Sequence, residues 1–551
     1  MKKGTTILNA FATVAMALAS LTGFAQSNLG AECGCPTPVS SRPTVLLSTL
    51  ATNGGAGDGE LIATNVILDC SKTWILDKKI YVGPGKTLTI MPGTVIKGRS
   101  YPLPADAVAL TVSVGGKIFA SGSENCQIVF TAEADNLDGT YPVTNTGQWG
   151  GICIAGKATN NLTLAANGPF TVGVAGKICV ADGIGTFEGF NSTNSKDQFG
   201  VTPASFDDND NSGILKYVSI RHAGAILVLG GELNALSLGS VGRGTTIEHI
   251  EVVSCADDGI ELWGGTVNLK YCSFLFGNDD NLDWDCGWTG NAQFLFIMKN
   301  DATASVDSDN GFECDADDQK SNLLPRSHPV IYNATMIGNS KTALTSDNSA
   351  IAGINAKELT EGEIYNSVIA NFLRGFNMTK ALGTRTGTSE AYHNWSSANG
   401  NGSQSLKVKC NTFVGTTDAL TVDRATTGLV AADNTQFTTT DLNTVVPSVP
   451  GFSFALARSG NTFTTRPDAV PNPALSTAGC PVAPSNGFFT QAAYRGAFAP
   501  TGDSWLSPWS YTVVLNAVSG VQACPNDVNN DGTINVQDFN AVLGSFGTNC
   551  Q

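Results

Sequence analysis

The 551-residue chain lacks sustained helical periodicity over nearly all its length, so helical bundles and the crossover helices of βαβ folds are excluded. Basic residues are scarce as well, 31 Lys and Arg against 47 Asp and Glu, for a formal net charge of −16. Phosphate binding needs clustered Lys and Arg, which excludes nucleic acid as a partner and makes divalent cations the natural companions. Beyond residue 25 no apolar run is long enough to span a bilayer.

Residues 1–25 carry Lys2 and Lys3, an apolar run from Ile7 to Leu21, and the small-residue ending Gly23-Phe24-Ala25. This pattern reads as a secretory signal peptide cleaved before Gln26, and no cysteine stands there to take a lipid anchor. The expected product is secreted, extracellular or held at the cell surface. All 14 cysteines lie past the signal peptide, an even number that favours disulfides over metal thiolates. Cys33-Gly34-Cys35 is too isolated for a zinc site, and only Cys524 with Cys550 is suggested as a pair by position.

Glycine is abundant, at 61 residues, and short β-type runs joined by tight turns begin at Leu61. Trp74-Ile75-Leu76, Thr87-Leu88-Thr89-Ile90 and Thr94-Val95-Ile96 are typical. The expected fold is all-β, a parallel β-helix over residues 60–440 with about a dozen coils. Residues 26–59 read as a loosely ordered entry segment, and 136–213 as coils bearing a lateral insertion. Residues 441–515 hold Phe488, Phe489, Tyr494, Trp505, Trp509 and Tyr511, and read as a cap over the open end of the core, with sugar stacking the alternative. Asn333, Asn366 and Asn411 fall at one position of three similar strands, which suggests an asparagine ladder, with carbohydrate contact the alternative.

The organising stretch is 244–315, where an acid-(Asp/Asn)-(Gly/Asn)-apolar-acid pattern occurs three times: Asp257–Glu261, Asp279–Asp283 and Asp309–Glu313. Strand alternation points Ile260, Leu282 and Phe312 to the core and Glu261, Asp283 and Glu313 outward in a solvent-facing file. Trp263, Asp285 and Asp315 follow two residues on. Stacked coils set neighbouring carboxylates about 4.8 Å apart. Like charges that close raise one another's pKa or hold a cation. The file is therefore a cation site using Asp257, Asp258, Asp279, Asp280, Asp283 and Asp285, a catalytic group built on Glu261, Asp283 and Glu313, or a solvated acidic face. Arg221 and His222, one coil upstream, are the only basic candidates nearby.

A second motif lies in 520–551. Asp527, Asn529 and Asp531 stand at positions 1, 3 and 5 of a calcium loop, Gly532 at 6, the Thr533 carbonyl at 7 and Asp538 at 12. Phe539, Val542, Leu543 and Phe546 give it an exiting helix, while Pro525 blocks an entering one. Calcium is the expected cofactor. The loop resembles a dockerin repeat, although dockerins pair two such repeats and this chain has one.

The segments Leu88–Gly98, Gly147–Lys157, Asp210–His222 and Asp257–Val267 resemble a family of secreted, surface-associated proteins of Bacteroidetes-type and marine bacteria. The resemblance implies a right-handed parallel β-helix of the pectin-lyase type and says little about activity. Two functions remain in view. One is a calcium-stabilised structural or adhesive rod that self-assembles or meets other surface proteins or polysaccharide. The other is a polysaccharide lyase or glycoside hydrolase acting on acidic polysaccharide. Asp257-Asp258 faintly resembles the paired Asp of polygalacturonases, but the Gly-His-Gly and Arg-x-Lys partners of that family are missing.

Overall fold

The computed structural model describes residues 29–518 except 54–57, 104–105, 169, 172–177, 191–192, 229–230, 301–309, 317–322, 340–350, 380–389, 399–401, 424–428 and 503. The expected signal peptide, Asp309, the 520–551 calcium loop with Asp527, Asn529, Asp531, Thr533 and Asp538, and the Cys524 and Cys550 pair lie outside the described residues.

Two long sheets wrap one core. A seventeen-stranded sheet and a twelve-stranded sheet alternate along the chain, and a typical passage runs Thr246–Val253, Ile260–Trp263, Asn268–Leu275, Leu282–Asp285. Each strand pairs in parallel with its equivalent about one coil later, as a parallel β-helix requires. Among the described strands of the twelve-stranded sheet only Ala51–Asn53 runs antiparallel, against Gly59–Leu61. Stacking keeps every inward residue above its counterpart. Leu215, Ile247, Leu269, Ala292 and Ile331 form one buried file, and Ile260, Leu282, Phe312 and Ile354 another. Gly259 is demanded by close approach, because a Cβ there would lie 2.5 Å from both the Asn281 carbonyl oxygen and the Phe274 ring.

The long strands bend midway at residues with positive φ: Tyr217, His249, Tyr271 and Phe294, at 50 to 59°. A left-handed side-chain-bearing residue costs about 1–2 kcal/mol. The bend sets these rings in a column, with centroids 4.3, 4.6 and 5.0 Å apart, and such pairs return about 0.5–1.5 kcal/mol each. Asn333 and Asn366 occupy the same bend in later coils, but Cys410 does so after them, so Asn411 falls one residue out of the expected ladder. Asn411 instead accepts from the Ser367 N–H at 2.8 Å.

Two expectations change. The stretch read as a loosely ordered entry places Thr44–Leu46 beside Thr73–Ile75 and is stapled by Cys33–Cys126 and Cys35–Cys70. Within 136–213, read as coils bearing an insertion, Gly151–Ala155 is a strand of the twelve-stranded sheet. The aromatic segment does not cap the end of the core. Pinned by Cys410–Cys480, it returns along the long sheet, with Lys270 Nζ donating to the Phe488 carbonyl, Asn333 Nδ2 to the Tyr494 carbonyl, and Trp509 edge-on to Tyr217. Trp395 and Phe437, from short helical turns, join the core of the last coils in its place. No described helix is long and apolar enough to cross a membrane.

Candidate functional site: a roofed acidic file

The acidic motif copies fall in register. Glu261 pairs with Asp283 and Asp283 with Glu313 on the outward side of the twelve-stranded sheet. They do not face open solvent, however: Glu261 and Asp283 are 7 % and 9 % exposed, and Asp258 in the preceding turn is 8 % exposed. The lateral insertion roofs them. Its three-stranded antiparallel sheet, Cys179–Ala181, Ile184–Thr186 and Gln198–Gly200, carries Phe187 and Phe199 onto Trp263, with ring centroids 5.7 and 5.9 Å away. Trp263 occupies the outward position that Asp285 takes one coil later. An aromatic there docks the roof, and an acid there lines the space beneath it.

That space is a cavity of about 150 Å³ walled by Leu162, Ile178 and Trp263 on the apolar side, and by Glu188, Glu261, Asp283, Asp285, Glu313, Asp315 and Lys357. Pockets for drug-sized organic ligands run to about 300–1,000 Å³, so the covered part of this one is smaller than those.

The turn entering the sheet holds a ladder of side-chain acceptors. Asn234 Oδ1 accepts the N–H of Asp258 (3.1 Å), Asp258 Oδ1 that of Asp280 (3.0 Å), Asp280 Oδ1 that of Asn310, and Asn310 Oδ1 that of Ala352 (3.0 Å). Asp280 therefore ties coil to coil. Two groups of carboxylate oxygens lie within 4.8 Å of one another, Asp257 with Asp258 and Asp279, and Asp258 with Glu261 and Asp283. Of the six residues expected to hold a cation, Asp257, Asp258, Asp279 and Asp283 are thus brought together. Asp280 and Asp285 fall outside both groups, and Glu261 joins.

Burial, and then mutual repulsion, raise Asp257, Asp258, Glu261 and Asp283 well above the usual carboxylate values. Asp283 is raised by desolvation followed by Glu313 and Glu261, its neighbours in the file. Desolvation followed by Asp257 and Asp283 does the same for Asp258, and desolvation followed by Glu188 and Asp257 for Glu261. Asn234 Nδ2 donates to Glu261 Oε2 and offsets part of this.

Arg221 is not at this site. It lies on the long sheet, with its guanidinium 4.1 Å from the Tyr511 ring centroid and Nε donating to Ser219 Oγ at 2.8 Å. His222 accompanies it there, with Nδ1 2.6 Å from the Asn145 carbonyl oxygen, and burial lowers its pKa to about 4. Among the described residues Lys357 does reach the file, 2.8 Å from Glu313 and 3.1 Å from Asp315, and the buried Lys299 Nζ donates to the Asp279 and Asn310 carbonyls in the adjoining turns. Burial alone would lower the Lys357 ammonium, but Asp315 and Glu313 outweigh burial and hold it well above its usual value. Lys357 follows a fourth copy of the pattern, Gly353-Ile354-Asn355, in which Asn355 pairs with Glu313. Requiring an acid at the last position hid that copy.

A parallel β-helix with a roofed acidic file is the class that this geometry defines. The chain belongs to the pectate-lyase-like β-helix domain family, whose profile matches residues 59–448. No curated protein and no solved structure gives a match.

Proposed function

We propose that the protein is an exported, cell-surface or extracellular β-helical rod of structural or adhesive role, and that calcium in the roofed file stabilises it. The observation that carries this reading is the Asp258, Glu261 and Asp283 group, three carboxylates from two coils, buried within 4.8 Å of one another with no basic residue among them. Calcium takes six to eight oxygen ligands at about 2.3–2.6 Å, so oxygens up to 4.8 Å apart can share one ion. Three disulfides between described cysteines accord with an oxidising compartment.

The lyase alternative needs an unprotonated base beside a groove that admits a uronate chain. Lys357 is held protonated by two carboxylates, which makes it a poor base. The test is incubation of the purified protein with a panel of acidic polysaccharides, with calcium and with chelator. We expect no turnover. Chelator-sensitive release of unsaturated or reducing ends, abolished by Asp283→Asn, would overturn the reading in favour of an enzyme.

A further inference from the structure

We infer that Glu188 of the lateral insertion is a ligand of the same calcium ion, so that one ion bound by Asp258, Glu261 and Asp283 ties the roof to two coils. This rests on the structural-cation reading above and adds to it the residue that couples the ion to the roof. Asp283 itself calls for a ligand: its Oδ1 is buried with no hydrogen-bond partner among the described residues, in a side chain that lines the cavity. A buried charged acceptor left unmade is costly, and an ion at that oxygen removes the cost.

The coils alone offer few unengaged oxygens, whereas calcium takes about six to eight. Asp258 Oδ1 already accepts the Asp280 N–H and Glu261 Oε2 the Asn234 amide, which leaves one oxygen on each to join Asp283 Oδ1. The insertion supplies Leu162, Asn167, Ile178 and Glu188 to the wall of the cavity, and Glu188 is the acid among them. Its neighbours set its place. Phe187 packs on Trp263, two residues along the strand from Glu261, and Phe190 lies under the Lys79 ammonium, with Nζ 4.2 Å from the ring centroid. After burial, Glu188 does most to raise the pKa of Glu261, and it holds the same rank at Asp257. The contacts that dock the roof therefore bring a carboxylate toward the acids beneath it, and repulsion opposes docking until a divalent ion lies between them. Binding and docking are then linked. The docked roof presents the extra ligand, so calcium favours docking by the same factor that docking favours calcium.

The experiment uses the full chain carrying Asp527→Ala and Asp531→Ala, which remove two ligands of the expected C-terminal calcium loop. Calcium affinity is read by equilibrium dialysis, and roof docking by hydrogen exchange in the strands Ile184–Thr186 and Gln198–Gly200, with calcium and with chelator. Calcium should slow exchange there in the parent. Glu188→Gln keeps the size of the side chain but removes its charge, and should weaken binding at least about tenfold. In chelator its roof should exchange more slowly than the parent's, because the repulsion is gone, and calcium should add little further protection. Asp285→Asn is the control for charge alone, since Asp285 lines the same cavity and also raises Glu261 but lies outside the converging oxygens. It should weaken binding less and leave the calcium-dependent protection in place. Equal weakening by the two variants, with calcium still protecting the roof of Glu188→Gln, would overturn the tie while sparing the structural-cation reading. No bound calcium in the parent would overturn both proposals.

Discussion

Two outward faces of this solenoid are covered by segments that leave and return, and they treat buried charge in opposite ways. On the long sheet, the C-terminal return segment meets Glu251 with a full set of donors: the Tyr511 N–H at 2.8 Å, the Thr512 N–H at 2.9 Å, and the Thr512 and Ser219 hydroxyls at 2.8 Å. Arg221 lies over the Tyr511 ring on the same face. On the twelve-stranded sheet the insertion covers Asp258, Glu261 and Asp283 and delivers aromatic rings to Trp263. Glu251 on the first face is met by four donors from the chain itself, whereas on the second Asp283 Oδ1 is buried with no hydrogen-bond partner among the described residues. Covering a carboxylate is therefore no sign of function by itself; covering several with too few donors is.

The comparison can be broken most forcefully at Glu251. Glu251→Ala removes the acceptor shared by four donors, and loss of one partner from a buried charged network costs about 3–5 kcal/mol. The denaturation midpoint should fall accordingly, equally with calcium or chelator. A calcium-dependent deficit would mean that the two faces are not independent.

Lys357→Met is the next probe. Its side chain is 25 % exposed, between the surface and buried limits, so the variant should lose about 1–2 kcal/mol in chelator. Millimolar calcium should restore much of that loss, because the unpaired Glu313 and Asp315 gain a counter-ion. Equal loss in both buffers would show that Lys357 serves packing alone.

The smallest effect is expected in a half-exposed network that needs no ion. There Glu361 takes Arg326 at 2.7 Å and His328 at 3.2 Å, and Glu363 takes Lys407 at 2.6 Å. Hydrogen bonds with Glu361 and then Glu363 raise His328 to about 9. Its contribution is full below about pH 6.5, the unfolded value, and is lost as pH rises through 9. Burial opposes ionisation of Glu361, but His328 and Arg326 outweigh it and bring it to about 2. Its contribution is present above about pH 4.5 and is lost as pH falls toward 2. His328→Gln should flatten the stability profile between pH 6.5 and 9; an unchanged slope there would assign the dependence elsewhere.

The coil architecture and the register of the acids were legible because a parallel stack repeats its sequence at each coil. The spacing of Glu261, Asp283 and Glu313 carries that register directly. Their exposure was not legible, because alternation says only that a side chain points away from the core, not what lies outside. The one local hint was Trp263, an aromatic in a file of acids. Likewise Trp505 and Trp509 mark a surface that must be covered, but sequence does not say whether they cover an end or a side. Lys357 was missed because its coil replaces the repeated acid with Asn355, which accepts from Asn377 Nδ2 at 2.9 Å. Arg221 looked close because it is one coil upstream in sequence, yet a coil has several faces and Arg221 is on another.

The most direct test of the account is thermal unfolding at pH 7 of the chain carrying Asp527→Ala and Asp531→Ala, and of the same chain with Asp283→Asn added, each in calcium and in chelator. In chelator, Asn replaces a buried acid whose ionisation burial and its neighbours oppose, so the variant should unfold at or above the parent's temperature. Calcium a hundredfold above its dissociation constant adds about 2.7 kcal/mol per site to the parent. The variant lacks a ligand and should gain less, so the order of the two proteins reverses. Identical calcium shifts in both proteins, or no shift in either, would contradict a structural cation at this file.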